Sequence, residues 1–298
     1  LRRLEQAFQQ TTDALAAGVR NKLYANEAVL SGLSAFLLAV EHDDRAATER
    51  YAATVAAAHP HIYQIEIARW VPSGEVDALV ESLRRGGQRD FTLKDFATLT
   101  GRQAVVSPPR ADTWPILFVY PDLPDTRPIQ GLRLETVDHL ASTLARARGN
   151  PQPLAAPVFR LYEGEAGYLL LQLVEHPANR DTAGAPNLFG NTMAAMLLIK
   201  SAALLPPEVV TSLAGPMGIQ AVLVGSDGKE GLLLEHDMDP GQALDRWLLP
   251  VFERSEPVRS AAQKVIIRFS LNSSEVSFLS FSRVSLLSFS ESHSHEME

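Results

Sequence analysis

No cysteine occurs among the 298 residues, which excludes disulfides, thiolate metal sites and cysteine nucleophiles. A metal site would have to be built from histidine and carboxylates. His59 and His61 flank Pro60 where a helix gives way to a strand; capping or solvent contact suits them better than a metal. His293 and His295 lie in a Ser- and Glu-rich tail. Glu235-His236-Asp237-Met238-Asp239 is the densest polar cluster. It has part of the spacing of a calcium loop but lacks the glycine at loop position six and the glutamate at twelve, so it reads as a surface loop. Gly225, Gly228 and Gly231 are spaced like a loose glycine loop, yet their setting is a hairpin. No nucleophile elbow, phosphate loop or dinucleotide fingerprint is present. Carboxylates are plentiful without any pair being singled out for acid–base work. No catalytic residue, metal site or cofactor is therefore expected.

What remains is binding chemistry. Trp114-Pro-Ile-Leu-Phe-Val-Tyr120 alternates as a strand, predicting Trp114, Ile116, Phe118 and Tyr120 on one face and Leu117 and Val119 on the other. Aromatic rings on one sheet face can fill a core or wall a pocket.

These residues need elements to hold them. From Leu1 to about Glu41 there is no proline. Leu4, Phe8, Leu15, Val19, Leu23, Leu30, Leu33, Leu37 and Val40 recur at spacings of three, four or seven, which predicts one long helix with an apolar stripe. The stripe is read as a seam between two copies of the chain, with packing on its own domain as the alternative. An Ala-rich helix over 45–58 and a strand over 62–70 follow. The turn Pro72-Ser73-Gly74 leads to a helix over 75–85, which Gly86-Gly87 closes. A helix over 136–148, capped by Thr136, and strands over 155–162 and 168–174 complete the first unit. A polar connector spans 177–186. Beyond it the pattern predicts a strand over 192–199, a helix over 207–213, a strand over 219–224, and a last hairpin pairing 265–271 with 276–282.

With 46% hydrophobic residues the chain can bury one large core or two modest ones. A net charge of −8 argues against a nucleic-acid face. No run approaches the roughly 20 apolar residues needed to span a bilayer. The start at Leu1, followed by Arg2 and Arg3, is read as that of an excised fragment.

The stretch from Trp114 to Val174 carries Trp-Pro-Ile-Leu-Phe-Val-Tyr-Pro, Gly-Leu-Arg-Leu-Glu, a helix ending Ala-Arg-Ala-Arg-Gly, Ala-Pro-Val-Phe-Arg-Leu and Gly-Tyr-Leu-Leu-Leu-Gln-Leu-Val. Preceded by a long helix, this order resembles the CHASE domain, the extracytoplasmic sensor of many receptor histidine kinases and cyclic-dinucleotide enzymes. The resemblance covers residues 23–174 well and 190–282 by order of elements alone. It implies an α+β fold in which a long N-terminal helix precedes two PAS-like αβ subdomains with antiparallel sheets. The corresponding units are a helical stalk over 1–58, a membrane-distal ligand-binding subdomain over 59–176, a membrane-proximal one over 187–284 and a disordered tail over 285–298.

In the plant cytokinin receptors of that family a carboxylate in the distal subdomain holds the ligand. Counting back from Arg146-Ala147-Arg148 places Arg133 at that position. A guanidinium donates and does not accept, so an anionic ligand replaces an adenine-like one in the expectation. The alternative is a structural ion pair of Arg133 with Glu135 or Asp138. The resemblance further implies Trp114, Phe118 and Tyr120 as aromatic walls, with Phe159, Arg160 and Leu171 lining the pocket.

The expected function is that of a non-catalytic sensory domain. It sits in the periplasm as part of an inner-membrane receptor and binds a small, anionic molecule. It pairs with a second copy through the N-terminal helix, and flanking segments anchor it in the membrane. A protein-binding or dimerisation module without a small ligand is the second reading, and an extracytoplasmic enzyme the third.

Overall fold

In the computed structural model, the described residues are 2–40, 45–102, 106, 111–161, 164–176, 190–205, 217–225, 228–236, 251–260 and 262–272. The helices are α1 (Arg2–Ala39), α2 (Arg45–Ala58), α3 (Val76–Arg85), α4 (Phe96–Leu99), α5 (Asp138–Ala147) and α6 (Ser201–Leu204). The strands of the first sheet are β1 (Ile62–Arg69), β2 (Ile116–Tyr120), β3 (Leu154–Ala155), β4 (Phe159–Arg160), β5 (Ala166–Glu175) and β6 (Thr192–Lys200). A second sheet holds β7 (Met217–Val224), β8 (Glu230–His236), β9 (Val251–Arg259) and β10 (Lys264–Asn272).

A proline-free run of 38 residues makes α1, about 57 Å long at 1.5 Å per residue. Phe8, Leu15, Val19, Leu23, Leu30, Leu33 and Leu37 are buried along one stripe, with Thr12 and Asn26 in the same row. The chain itself covers that stripe. Near the N-terminus, Phe8 meets Phe252 of β9 with ring centroids 6.0 Å apart, and Asp13 pairs with Arg254 of β9 at 2.7 Å. Farther along, Ser34 donates to Gln172 of β5 at 3.0 Å. The stripe read as a dimer seam is therefore occupied by the chain's own sheets, because both sheets offer it an apolar face.

The first sheet runs β2-β1-β6-β5-β3, with β4 also on β5, and every pairing is antiparallel. Both faces are buried. Ile65, Ile67, Tyr168, Leu170, Leu197 and Ile199 point toward the α1 side. Ala68, Leu169, Leu171, Met196 and Leu198 point to the layer containing α5. Burial on two sides explains the continuous apolar runs of β5 and β6. The second sheet is ordered β8-β7-β10-β9, and one of its faces joins the core beneath α1. Ile219, Ala221, Ile267 and Phe269 join the α1 core. On its other face Arg268 donates to both carboxylate oxygens of Glu230, at 2.7 and 2.8 Å.

Several sequence expectations change here. The strand over 192–199, assigned to the second unit, is β6, flanked by β1 and β5 within the first sheet. Its nine apolar-rich residues need two neighbours and two covered faces, which only the first sheet supplies. The strand over 155–162 is split into β3 and β4 around Pro157, which has no N–H for a ladder. β10 has β7 and β9 on its two edges, in place of the expected hairpin with 276–282. Residues 207–213 and 276–282, the connector over 177–186 and the tail lie outside the described residues. β9 carries Pro257 and alternating charges, which suit an edge strand and hide it from a hydrophobic pattern.

The expected alternation of β2 also breaks. Ile67 pairs with Phe118 and Ala68 with Ile116, leaving Leu117 as an extra residue. Such a bulge shifts the faces that follow it. Trp114, Ile116 and Val119 lie in the α5 layer, whereas Leu117 and Phe118 lie in the α1 core and Tyr120 packs against that core. The expected Thr136 cap is absent as well. Val137 stands at the start of α5, and the Thr136 hydroxyl instead accepts from the Phe96 N–H at 3.0 Å and donates to the Arg133 carbonyl at 2.7 Å.

Candidate ligand-binding site

Between the outer face of the first sheet and the layer of α4, α5 and the loop after β2 lies a cavity of about 490 Å³. That volume falls within the range of small-molecule pockets. Ile116, Leu169 and Leu198 form part of the sheet wall; Phe96, Leu99, Val137 and Leu140 come from the helical side. The loop contributes Asp125, Thr126, Ile129 and Leu132.

Short-range chemistry shapes that loop. The Thr126 hydroxyl accepts from the Leu123 N–H at 2.9 Å and donates to the Pro121 carbonyl at 2.8 Å. Gly131 has a φ of +84°, and a Cβ there would sit 2.1 Å from the Thr92 carbonyl oxygen. Only glycine permits this approach. It lets the Lys94 N–H donate to the Gly131 carbonyl at 2.8 Å, and the Gly131 N–H to that of Ile116 at 2.8 Å. The segment bearing Leu132 is thereby tied beside the sheet.

Polar side chains interrupt the apolar lining, Gln64, Glu66 and His139 among them. Gln64 and Glu66 project from β1 into the same layer and are 4% and 3% exposed. Gln64 Oε1 is buried without a hydrogen-bond partner among the described residues. Burial alone pushes the Glu66 carboxyl up to about 7, since ionising it in apolar surroundings is costly. His139 of α5 packs its ring 4.6 Å from that of Phe159. Its Nε2 is buried without a partner among the described residues, and burial lowers its basicity against the opposing pull of Asp138.

The sequence-predicted residues take different places. Phe159 and Arg160 are among the lining residues. Trp114 and Leu171 are buried in the same apolar layer without bordering the cavity. Phe118 and Tyr120 belong to the opposite side of the sheet. Arg133 is buried behind the wall, in an ion pair with Asp95 and with its Nε 3.9 Å from Glu135 Oε1. Glu135 in turn accepts from the Thr113 hydroxyl and from the Trp114 N–H, the latter at 2.9 Å. The structure therefore does not bring Arg133 to the cavity, and its carboxylate partner Asp95 is one that sequence spacing did not suggest. Gln64, Glu66 and His139 were missed. Gln and Glu two apart in a strand look like an exposed face, and no local signal says that α5 covers it.

Among the described residues no group of histidines and carboxylates could hold a metal ion. Among the described residues, no helix is long and apolar enough to cross a membrane. The site offers a concave apolar surface and a few hydrogen-bonding groups, which are the elements of recognition.

No curated protein matches the chain. Among solved structures, the periplasmic sensory domain of the Campylobacter jejuni chemoreceptor Tlp1 is similar at 10% identity and a TM-score of 0.51, covering 91% of this chain and 94% of that one. A structure described as methyl-accepting chemotaxis protein X matches at 10% identity and a TM-score of 0.48, over 90% of this chain and 96% of that one. An extracellular ligand binding receptor from Desulfohalobium retbaense matches at 12% identity and a TM-score of 0.48; the likeness covers 89% of this chain but only 39% of that receptor. The Tlp1 likeness agrees with an α+β fold of a long helix followed by antiparallel sheets. The family model described as CHASE domain matches residues 41–204, more than half of the 298, and the chain belongs to that family of extracytoplasmic sensory domains.

Proposed function

We propose that the chain is the ligand-binding sensor of a transmembrane receptor and takes a small molecule into the cavity between the first sheet and α5. The observation that carries this reading is a cavity of about 490 Å³ whose wall includes Gln64 Oε1 and His139 Nε2, both buried without a partner among the described residues. Native interiors seldom leave such atoms unpaired, and a guest can satisfy them.

A route outward is built into the sheet. On β1, Gln64 and Glu66 face the cavity while Ile65 and Ile67 join the α1 core, so one layer of strands separates guest from helix. At that helix, His61 meets Asn26 Oδ1 at 2.8 Å, and the Asn26 amide reaches the Tyr168 hydroxyl and Gln263 Oε1, both at 3.4 Å. Gln263 adjoins β10, so one side chain of α1 touches both sheets. A ligand that favours one arrangement of the first sheet shifts the whole equilibrium only by its differential affinity. In the parent protein, flanking membrane segments and a second copy would relay the shift to an output domain. That pairing would use a face of α1 other than the buried stripe, such as the one exposing Tyr24 and Leu38.

A thermal-shift screen against a metabolite panel tests the reading. Saturating ligand at a hundred times Kd adds about 2.7 kcal/mol. A true pocket ligand raises Tm in the wild-type chain and fails to do so in Leu169→Phe, which fills the cavity. A compound that shifts both proteins equally binds elsewhere.

A further inference from the structure

The chemistry of the guest can be narrowed, on the reading that this cavity is the ligand site. Gln64 and Glu66 stand side by side on one face of β1, opposite Leu198 and Met196 of β6, with Val119 of β2 beside Glu66. Both side chains are more than nine-tenths buried. The Gln64 oxygen can only accept a hydrogen bond, and a carboxylate likewise only accepts. No hydrogen bond or ion pair joins Glu66 to another described residue. Buried acceptors without donors, and a buried carboxyl without a cation, are both unfavourable arrangements. An anionic guest would leave both unpaired and add repulsion. A guest bearing N–H groups on a positive nitrogen would satisfy both at once. We propose that the cavity binds an organic amine, whose ammonium group donates to the Glu66 carboxylate and to Gln64 Oε1 while its apolar body lies against Phe96, Phe159 and Leu169.

The other walls agree with this charge. Among the described residues, the remaining titratable or charged groups at the cavity are Tyr63 of β1, Asp125 of the loop, His139 of α5 and Arg160 of β4. Asp125 and Arg160 are exposed, of opposite sign, and stand at the mouth. His139 is held neutral more readily by its burial. The lining from α4, β2, β5 and β6 is apolar, namely Phe96, Leu99, Ile116, Leu169 and Leu198. The ammonium thus meets a complementary buried charge at Glu66.

The pH dependence follows from the same geometry. In the empty cavity Glu66 keeps its proton until about pH 7. Below that, an ammonium must displace the proton, so its affinity weakens roughly tenfold for each further unit of acidity. A neutral guest of the same shape shows no such slope.

The test uses the full chain and three probes that share one aromatic body: phenethylamine, phenethyl alcohol and hydrocinnamate. Each is titrated by calorimetry or ligand-observed NMR at pH values of about 5.5 to 7.5. The amine is expected to bind at least about tenfold more tightly than the other two at the upper end, as expected for a buried charge pair, and to lose that advantage at the lower end. Glu66→Gln should remove both the amine's advantage over the alcohol and the pH dependence of amine binding. An amine preference that survives Glu66→Gln, or a carboxylate that binds as well as the amine, overturns the inference while leaving the cavity as the ligand site. If none of the three binds, or if Leu169→Phe binds them as wild type does, the cavity reading falls and the amine assignment with it.

Discussion

Arg133 and Asp95 form a buried ion pair across 38 residues of sequence, their side chains 5% and 6% exposed. The pair joins the start of α4 to the segment that follows Gly131, so it fixes the far wall of the cavity from outside. Removing one partner strands a buried charge, which costs about 3–5 kcal/mol. Arg133→Ala and Asp95→Ala should each lower the urea midpoint by a corresponding amount. The double variant should cost much less than the sum of the two. Additive losses in a double-mutant cycle would show that the two side chains do not act as a pair.

Glu66, buried, and His61, half-buried, give stability opposite slopes with pH. The folded Glu66 value, raised to about 7 by burial, lies above the unfolded one. Its contribution is complete below about pH 4.5 and is lost as pH rises through about 7. Glu66→Gln should therefore resemble wild type near pH 4.5 and exceed it by about 3 kcal/mol at pH 8, taking 1.36 kcal/mol per unit. Chemical denaturation at the two pH values checks this, and a pH-independent difference would contradict it.

His61 works the other way. Burial first, then repulsion from Lys22 and His59, lowers it to about 4. Its contribution is present above about pH 6.5 and is lost as pH falls toward 4. His61→Gln should flatten that acid limb, and an NMR titration of the imidazole should place its midpoint well below that of a free histidine.

The Tyr168 hydroxyl donates to Gln263 Oε1 at 2.6 Å, and Gln263 Nε2 donates to the Leu23 carbonyl at 3.2 Å. This bond links the first sheet to the residue entering β10, next to α1. Tyr168→Phe leaves a buried amide oxygen short of a donor, which costs about 1–3 kcal/mol. If the sheets signal through this contact, a pocket ligand should also protect β10 amides from hydrogen exchange less in Tyr168→Phe than in wild type.

Gly131→Ala should be disproportionately harmful for a change of one methyl group. The φ of +84° and the Thr92 carbonyl 2.1 Å from a built Cβ both oppose a side chain. A loss exceeding about 1 kcal/mol is expected from the backbone alone. A midpoint equal to wild type would mean that the segment relaxes freely, and that Gly131 does not set the cavity wall.

Much of the architecture was legible locally. The proline-free stripe of α1, the Gly86-Gly87 stop after α3 and the apolar runs of β5 and β7 are written in periodicity and turn chemistry. The site was legible in part: Phe159 and Arg160 border the cavity, but Phe118 does not. One extra residue at Leu117 turned Phe118 to the other face, and strict alternation contains no sign of a bulge.

What the sequence by itself determined is therefore where the strongly patterned helices and strands lie, such as α1, α3, β5 and β7, and that no cysteine chemistry takes part, because those follow from residue type and near-neighbour spacing. Only the tertiary structure decided that β6 lies between β1 and β5, that Arg133 is paired with Asp95 rather than lining the cavity, and that Gln64 and Glu66 are buried. These depend on which distant segment covers which face. Burial and charge pairing across tens of residues are set by packing, and packing leaves no trace in local pattern.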